Sequence, residues 1–205
     1  FLPRSGEQFK SLSATSARLD PDVFESTEVG MKVALPNNMS LTASYFDSEQ
    51  VRAERDNDTG ETSEVRGLTV DGFEIELKGR VNDGLNLAIA YSDLSGETSS
   101  GGIPREIPEH TLSAFAAWEV NEKLSVALGL TQQGESKIKD NTPGLVLPEY
   151  TRVDLSAYYQ VAPNLSVQMN VENLMDELYF PHSHSTHQAS VGESVNSRVS
   201  LRWTY

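Results

Sequence analysis

Hydrophobic and polar residues alternate along the last eleven positions of the chain, residues 195–205. The odd-numbered positions begin with Val195, are mostly apolar and end in Trp203 and Tyr205. The even-numbered positions between them are polar and include Arg198 and Arg202. Because successive side chains of a β-strand point to opposite faces, this pattern predicts a strand with one apolar and one polar face. The closing strand of a membrane barrel and that of a soluble β-sandwich both fit this pattern.

The same alternation recurs in eight earlier segments, and helical spacing is almost absent. These segments lie at residues 29–35, 39–45, 73–77, 85–91, 112–120, 124–130, 153–159 and 165–171. We therefore predict an all-β, antiparallel chain of nine strands, in which residues 1–6 form a loop.

The predicted connections alternate in length. Short turns rich in Pro, Asn, Asp and Gly fall at residues 36–38, 82–84, 121–122 and 162–164, and long polar stretches fall at about 54–66, 94–108, 134–148 and 177–193. Short periplasmic turns and long outer loops are typical of up-and-down outer-membrane barrels, whose apolar face meets lipid. Such single-chain bacterial barrels have an even number of strands, and an unpaired edge in lipid is costly. Nine strands therefore predict the C-terminal part of a larger barrel.

Amino-acid composition and net charge exclude several kinds of site and partner. The 205 residues are 38% hydrophobic and include no cysteine, which excludes disulfides and thiolate metal sites within them. The opening residues do not resemble a signal peptide, so we expect that processing or truncation removed the true beginning of an exported protein. The net charge of −14 argues against nucleic-acid binding, and we attribute it to solvated loops.

Several short sequence motifs occur along the chain, and their order carries information beyond that of each motif alone. The strongest, residues 170–180, reads Asn-Val-Glu-Asn-Leu-Met-Asp-Glu-Leu-Tyr-Phe, and residues 147–154 upstream read Leu-Pro-Glu-Tyr-Thr-Arg-Val-Asp. Weaker motifs lie at 19–21 with 28–32, at 66–67 with 72–76, and at 107–111. Together they resemble the C-terminal half of TonB-dependent outer-membrane receptors, particularly the ferric-siderophore group. Met175 departs from that family, which usually has Phe there, but Met fills a similar apolar volume.

This resemblance implies a transmembrane barrel of about 22 strands, of which residues 1–205 would supply about the last nine, with the plug domain and N-terminal strands outside them. It also implies a location in the bacterial outer membrane and import of a ferric siderophore with energy relayed by the TonB–ExbB–ExbD complex, which the absent N-terminal part would contact. The expected partners are the iron–siderophore complex, membrane lipid, lipopolysaccharide and the barrel-assembly machinery. Trp203 and Tyr205 would lie at the membrane interface, and Tyr205 resembles the terminal aromatic that this machinery reads. No resident cofactor is expected, because the iron arrives inside its chelate as cargo.

Three histidines precede the last strand: His182, His184 and His187 form a His-x-His-x-x-His pattern. Neutral imidazole binds zinc, copper, nickel and haem iron, so the pattern allows a metal site. The same histidines could instead donate hydrogen bonds to a chelate that already encloses its iron, or belong to an ordinary polar loop.

Three arginines lie in or near the predicted outer loops, namely Arg52, Arg55 and Arg105. They could attract an anionic chelate through charge-assisted hydrogen bonds. Acidic residues surround the first two, however, and the resulting negative field favours a solvated charged loop instead.

No catalytic constellation is recognisable, and we expect a protein that is not an enzyme. Glu74 and Glu76 share one strand face and are interpreted as solvated residues that line the lumen. Two alternatives to a siderophore receptor remain: a structural or translocation barrel such as a porin or secretion pore, and a soluble all-β binding module. The latter agrees with the mean hydropathy of −0.40.

Overall fold

The described part of the chain is built from antiparallel β-strands. The computed structural model describes residues 2–8, 22–55, 62–139, 142 and 144–205, with the backbone alone at 2–8, 22, 52–55, 62–66 and 184–185. Within these ranges, no helix is long and apolar enough to cross a membrane. The strands are β1 (Leu2–Gln8), β2 (Asp22–Leu35), β3 (Met39–Arg55), β4 (Thr62–Asn82), β5 (Leu85–Thr98), β6 (His110–Asn121), β7 (Leu124–Gln133), β8 (Ser136–Lys137), β9 (Val146–Leu147), β10 (Tyr150–Ala162), β11 (Leu165–Glu172), β12 (His182–Ser185), β13 (Gln188–Ser190) and β14 (Asn196–Trp203).

Ten strands form one sheet, in the order β1-β2-β3-β4-β5-β6-β7-β10-β11-β14. The remaining four form two small hairpins, β8–β9 and β12–β13, inside long connections. Each neighbouring pair in the large sheet is antiparallel, which confirms the predicted all-β, up-and-down class.

The register places the apolar positions of neighbouring strands opposite one another. One row of cross-strand partners runs Val33↔Leu41↔Leu77↔Ile89↔Ala114↔Leu130↔Val153. The adjacent row runs Lys32↔Thr42↔Glu76↔Ala90↔Ser113↔Thr131↔Arg152. Since rows one residue apart lie on opposite sides of a sheet, the sheet has an apolar outer face and a largely polar inner face.

The outer face is open. Val199, Leu201 and Trp203 are 62%, 72% and 72% exposed, so the described residues do not cover this side of β14. A soluble sandwich buries such positions against a second sheet, and the soluble module is therefore not supported. A strand that faces lipid gives this pattern.

The short turns use asparagine where the backbone needs it. Asn37 and Asn38 have φ angles of 59° and 57° between β2 and β3, a left-handed pair that suits a two-residue hairpin. The Oδ1 atom of Asn82 accepts hydrogen bonds from the amides of Gly84 and Leu85, at 2.9 and 3.0 Å. The amides after Asn121 repeat this arrangement. The short turns thus lie close to where the sequence predicts them.

An aromatic band marks one limit of the apolar face, towards the long-loop end. Tyr45, Phe73 and Tyr91 occupy neighbouring outer positions of β3, β4 and β5, and the rings of Phe73 and Tyr91 lie 5.8 Å apart. The Tyr45 hydroxyl donates to Asp71 at 3.3 Å, and the Tyr91 hydroxyl donates to Asp93 at 3.1 Å. Aromatics with polar tips are typical of membrane interfaces.

The outer face changes from apolar to acidic beyond this band, and two apolar side chains appear on the inner face. The next outer positions of β3, β4 and β5 are Asp47, Asp71 and Asp93. The inner row at the level of the band runs Glu28↔Phe46↔Gly72↔Leu94. A Cβ atom on Gly72 would lie 2.7 Å from Leu94 Cδ2 and 2.4 Å from the Asp93 carbonyl oxygen, so glycine permits this close approach.

The predicted count of nine strands is wrong, because residues 2–8 form a strand rather than a loop. β1 pairs with β2 from Leu2↔Glu28 to Gln8↔Asp22, so the first predicted strand has a partner. Pro3 and Gly6 interrupt side-chain alternation in this segment, and the strand is defined by its backbone pairing. Within the described ranges, the main sheet therefore has ten strands.

Two predicted long loops are shorter than expected. β3 continues to Arg55 and β4 begins at Thr62, while β5 continues to Thr98. Backbone pairing persists there without alternating hydrophobic residues, which is why the pattern does not reveal it. The stretches at 134–148 and 177–193 contain the β8–β9 and β12–β13 hairpins.

Candidate functional site

The inner face carries a cavity of about 390 Å³ that is lined by both polar and apolar side chains. Glu74 and Glu76 both line it, which agrees with their predicted position on the lumen side. The ammonium of Lys78 lies 2.6 Å from a carboxylate oxygen of Glu76, and the hydroxyls of Ser92 and Thr111 lie 2.6 Å apart. The wall also includes Glu28, Thr42, Ser44 and Ser113. Hydroxyls and carboxylates on adjacent strands provide a surface for hydrated solutes.

The long-loop end of β10 holds a cluster that we call the tyrosine–arginine cluster: Tyr150, Arg152, Asp154 and Tyr179. The rings of Tyr150 and Tyr179 are both buried, with centroids 4.7 Å apart. Arg152 donates to Asp154 at 2.9 and 3.2 Å and to the Tyr179 hydroxyl at 3.2 Å. These bonds attach the connection after β11 to the inner face of β10.

Gly192, near the C-terminal end of the same connection, lies against Tyr179 of this cluster. Its amide donates to the Tyr179 carbonyl at 2.8 Å. A Cβ atom at this position would lie 2.2 Å from the Tyr179 ring, so a larger residue would displace that ring.

Asn173 organises the start of the β11–β14 connection and is only 1% exposed. Its side-chain amide donates to the carbonyls of Glu177 and Glu193, and its Oδ1 accepts from the Glu177 amide, each at 2.9 Å. Its backbone amide donates to Asp154 at 2.9 Å. The second asparagine of the Asn-x-x-Asn-Leu-x-Asp motif is therefore a structural anchor.

Glu106 links the β5–β6 connection to the β12–β13 hairpin. Its Oε1 atom accepts from the Ser183 amide at 2.8 Å and from the Ser183 hydroxyl at 3.1 Å. The Ser183 amide lowers the pKa of the Glu106 carboxyl, and the Ser183 hydroxyl, Arg105 and His182 act in the same direction against the effect of burial. The carboxylate therefore stays ionised at neutral pH.

The three candidate histidines lie in or next to the β12–β13 hairpin. His182 is exposed, and its Nε2 shares a hydrogen bond of 2.9 Å with the Ser190 hydroxyl. His187 is an exposed turn residue, and the side chain of His184 lies outside the described atoms. Among the described side chains, which exclude that of His184, no group of three or more His, Cys, Asp or Glu residues could hold a metal ion. Metal binding by the three histidines together stays a prediction.

The three candidate arginines are spread over two connections. Arg52 and Arg55 lie at the end of β3, paired with Val65 and Thr62, and their side chains are outside the described atoms. Arg105 is exposed in the β5–β6 connection and forms a backbone bridge with Lys137. Arg105 and His182, which adjoin Glu106 and Ser183 in sequence, both act electrostatically on the Glu106 carboxyl and lower its pKa.

Comparisons with known proteins agree with this architecture. The family model described as "TonB dependent receptor-like, beta-barrel" matches residues 1–174. A probable TonB-dependent siderophore receptor, PiuA of Acinetobacter baumannii, is 25% identical over 219 residues, which cover 98% of this chain and 29% of that protein. The ferripyoverdine receptor of Pseudomonas aeruginosa is 27% identical over 208 residues, covering 91% of this chain and 26% of that protein.

Solved receptor structures share the fold. The P. aeruginosa ferripyoverdine receptor bound to ferripyoverdine superposes with a TM-score of 0.82 at 24% identity, covering 98% of this chain and 30% of that one. The closed form of the Escherichia coli ferric-catecholate import receptor Fiu gives a TM-score of 0.81 at 22% identity, covering 97% and 31%. The chain thus spans less than a third of the length of these proteins.

Proposed function

Since the chain belongs to the TonB dependent receptor-like β-barrel family, we propose that its strands form part of a receptor that imports a ferric siderophore across the outer membrane. The observation that carries this proposal is the family match over residues 1–174. The names of the relatives support it, because both are receptors and one is named for a ferric siderophore. The location follows from the family: the chain is a partial barrel of the bacterial outer membrane.

The two faces of the sheet suit this role. An apolar outer face meets acyl chains, while the carboxylates and hydroxyls of the inner cavity offer hydrogen bonds to a polar solute. Energy would come from the TonB–ExbB–ExbD complex, and the ferric chelate would be the cargo. Lipopolysaccharide and the barrel-assembly machinery complete the proposed partners. A porin or secretion pore would share the lipid-facing face, but the family match does not favour it.

Growth under iron limitation tests the proposal. A strain with the intact gene and a deletion strain should receive candidate siderophores one at a time, with iron-replete medium as the control. We expect at least one ferric siderophore to support growth in the intact strain alone, and loss of TonB to abolish that growth. Identical growth of the two strains on every siderophore would count against siderophore import.

The histidines of the β12–β13 hairpin supply a prediction about ligand recognition. Joint replacement of His182, His184 and His187 by alanine should raise the siderophore concentration for half-maximal uptake about tenfold, the effect of losing about 1.4 kcal/mol of hydrogen bonding. Uptake of radioactive iron by whole cells measures this. The matched control replaces the exposed neighbours Thr186 and Gln188 by alanine, with surface abundance checked in both variants. Unchanged uptake in the histidine variant would remove these residues from the ligand site.

A further inference from the structure

Three long connections converge on Glu106. Its backbone amide donates to the Lys137 carbonyl at 2.8 Å, which joins the β5–β6 connection to the β7–β10 connection. Its carboxylate accepts both bonds from Ser183, which joins the β11–β14 connection. One residue therefore links three loops that lie far apart in sequence.

The conformation of Glu106 indicates that this position is tightly determined. Its φ angle is 59°, in the left-handed region that residues other than glycine rarely adopt. Such backbone conformations persist where the surrounding structure over-determines them. Ser183 is 7% exposed, so its amide would be a buried donor without an acceptor if the carboxylate were removed.

We infer that Glu106 is a positioning residue that fixes the β12–β13 hairpin against the β5–β6 connection, so that His182 and Arg105 are held on neighbouring loops. The charge of the carboxylate strengthens both bonds to Ser183, and the bond to Lys137 anchors the backbone of Glu106 itself. The consequence for ligand recognition rests on the proposed function, whereas the coupling between loops does not.

Hairpin mobility can be measured directly because residues 1–205 contain no cysteine. The variant Ser190→Cys places a thiol at a partly buried position of β13, so its reaction rate depends on how often the hairpin moves away from its neighbours. Its reaction with a membrane-impermeant maleimide on whole cells, in the receptor expressed from its intact gene, is followed by mass spectrometry of the labelled peptide.

Replacing Glu106 by glycine tests the contribution of the carboxylate separately from that of the backbone. Glu106→Gly retains a residue suited to φ 59° and the amide that donates to Lys137, but it removes the acceptor for Ser183. Glu109→Gly is the matched control, because Glu109 is an exposed acid of the same connection whose described bonds involve its backbone. Ser183→Ala removes the hydroxyl donor alone.

We expect Glu106→Gly to raise the labelling rate by roughly three- to tenfold, as loss of charge-assisted hydrogen bonds implies. Ser183→Ala should raise it about twofold, and Glu109→Gly should leave it unchanged. A rate for Glu106→Gly equal to that of the parent, or an equal rise in Glu109→Gly, would overturn the inference.

A ferric tris-catecholate and a ferric tris-hydroxamate then serve as ligand probes. Whichever probe supports growth should slow labelling in the parent, and Glu106→Gly should need a severalfold higher probe concentration for the same protection. Failure of both probes to support growth would count against import of these chelates. The difference in labelling rate between Glu106→Gly and Glu109→Gly would still test the coupling between the loops. Equal protection in both proteins would overturn the ligand-positioning part of the inference.

Discussion

Replacing Met169 by arginine should lower the free energy of unfolding by about 2–4 kcal/mol. Met169 is an outer-face residue of β11, 45% exposed, and it pairs with Ala157 and Val199. It lies four positions from Leu165, where β11 begins, which places it about 13 Å along the strand and near the middle of an apolar band about 25 Å tall. A guanidinium there loses its hydration without gaining a partner. Urea unfolding of the intact receptor in lipid vesicles measures the change.

The adjacent residue gives a matched control for this prediction. Gln168 pairs with Tyr158 and Ser200 and lies on the inner face. Because an arginine at that position meets water, Gln168→Arg should change the free energy of unfolding by less than about 0.5 kcal/mol. Equal destabilisation by the two substitutions would contradict the assignment of the faces.

Replacing Asn173 by alanine should destabilise the receptor by about 3–5 kcal/mol, because three side-chain hydrogen bonds disappear in a site that is 1% exposed. The Glu177 amide and the carbonyls of Glu177 and Glu193 would lose their Asn173 partners. The φ angle of 52° adds to the cost, since alanine tolerates left-handed backbone less well than asparagine. The same unfolding measurement applies, together with the amount of folded receptor in the outer membrane.

Two further variants separate the causes. Asn173→Gly accepts the left-handed backbone but lacks the amide, so it should lose nearly as much stability as Asn173→Ala if the hydrogen bonds dominate. Asn170→Ala, three residues earlier, removes an acceptor for Ser156 and Gln168 in a partly exposed site and should cost about 1 kcal/mol. A small loss in Asn173→Gly would attribute the effect to backbone strain.

Alternation alone predicts most of the sheet, because lipid on one side and water on the other impose a two-residue period. It identifies all strands of the large sheet except β1, where Pro3 and Gly6 interrupt the pattern and pairing with β2 defines the strand. It also underestimates β3 and β4 beyond Tyr45 and Phe73, where lipid no longer selects the outer residues.

The candidate site is less accessible to sequence reasoning. The bond between Glu106 and Ser183 joins residues 77 positions apart, and no local pattern indicates it. The asparagine-rich motif is recognisable, but the role of Asn173 depends on the carbonyl of Glu193, which lies far along the same connection. Ligand binding by Arg52, Arg55, Arg105, His182, His184 and His187 stays a prediction, because a ligand contact depends on how separate loops meet.

The change of the outer face from apolar to acidic above Tyr45 bears on how far the sheet extends beyond the membrane. β3 extends ten residues beyond Tyr45 to Arg55, about 33 Å along the strand, or about 25 Å in height at a tilt of 35–45°. In the proposed receptor, this part of the sheet would stand above the acyl chains, in the layer of lipopolysaccharide sugars. There the outer positions Asp47, Asp71 and Asp93 would lie beside sugars rather than lipid tails, and Phe46 and Leu94 would form the start of the inner wall on the outer side of the membrane.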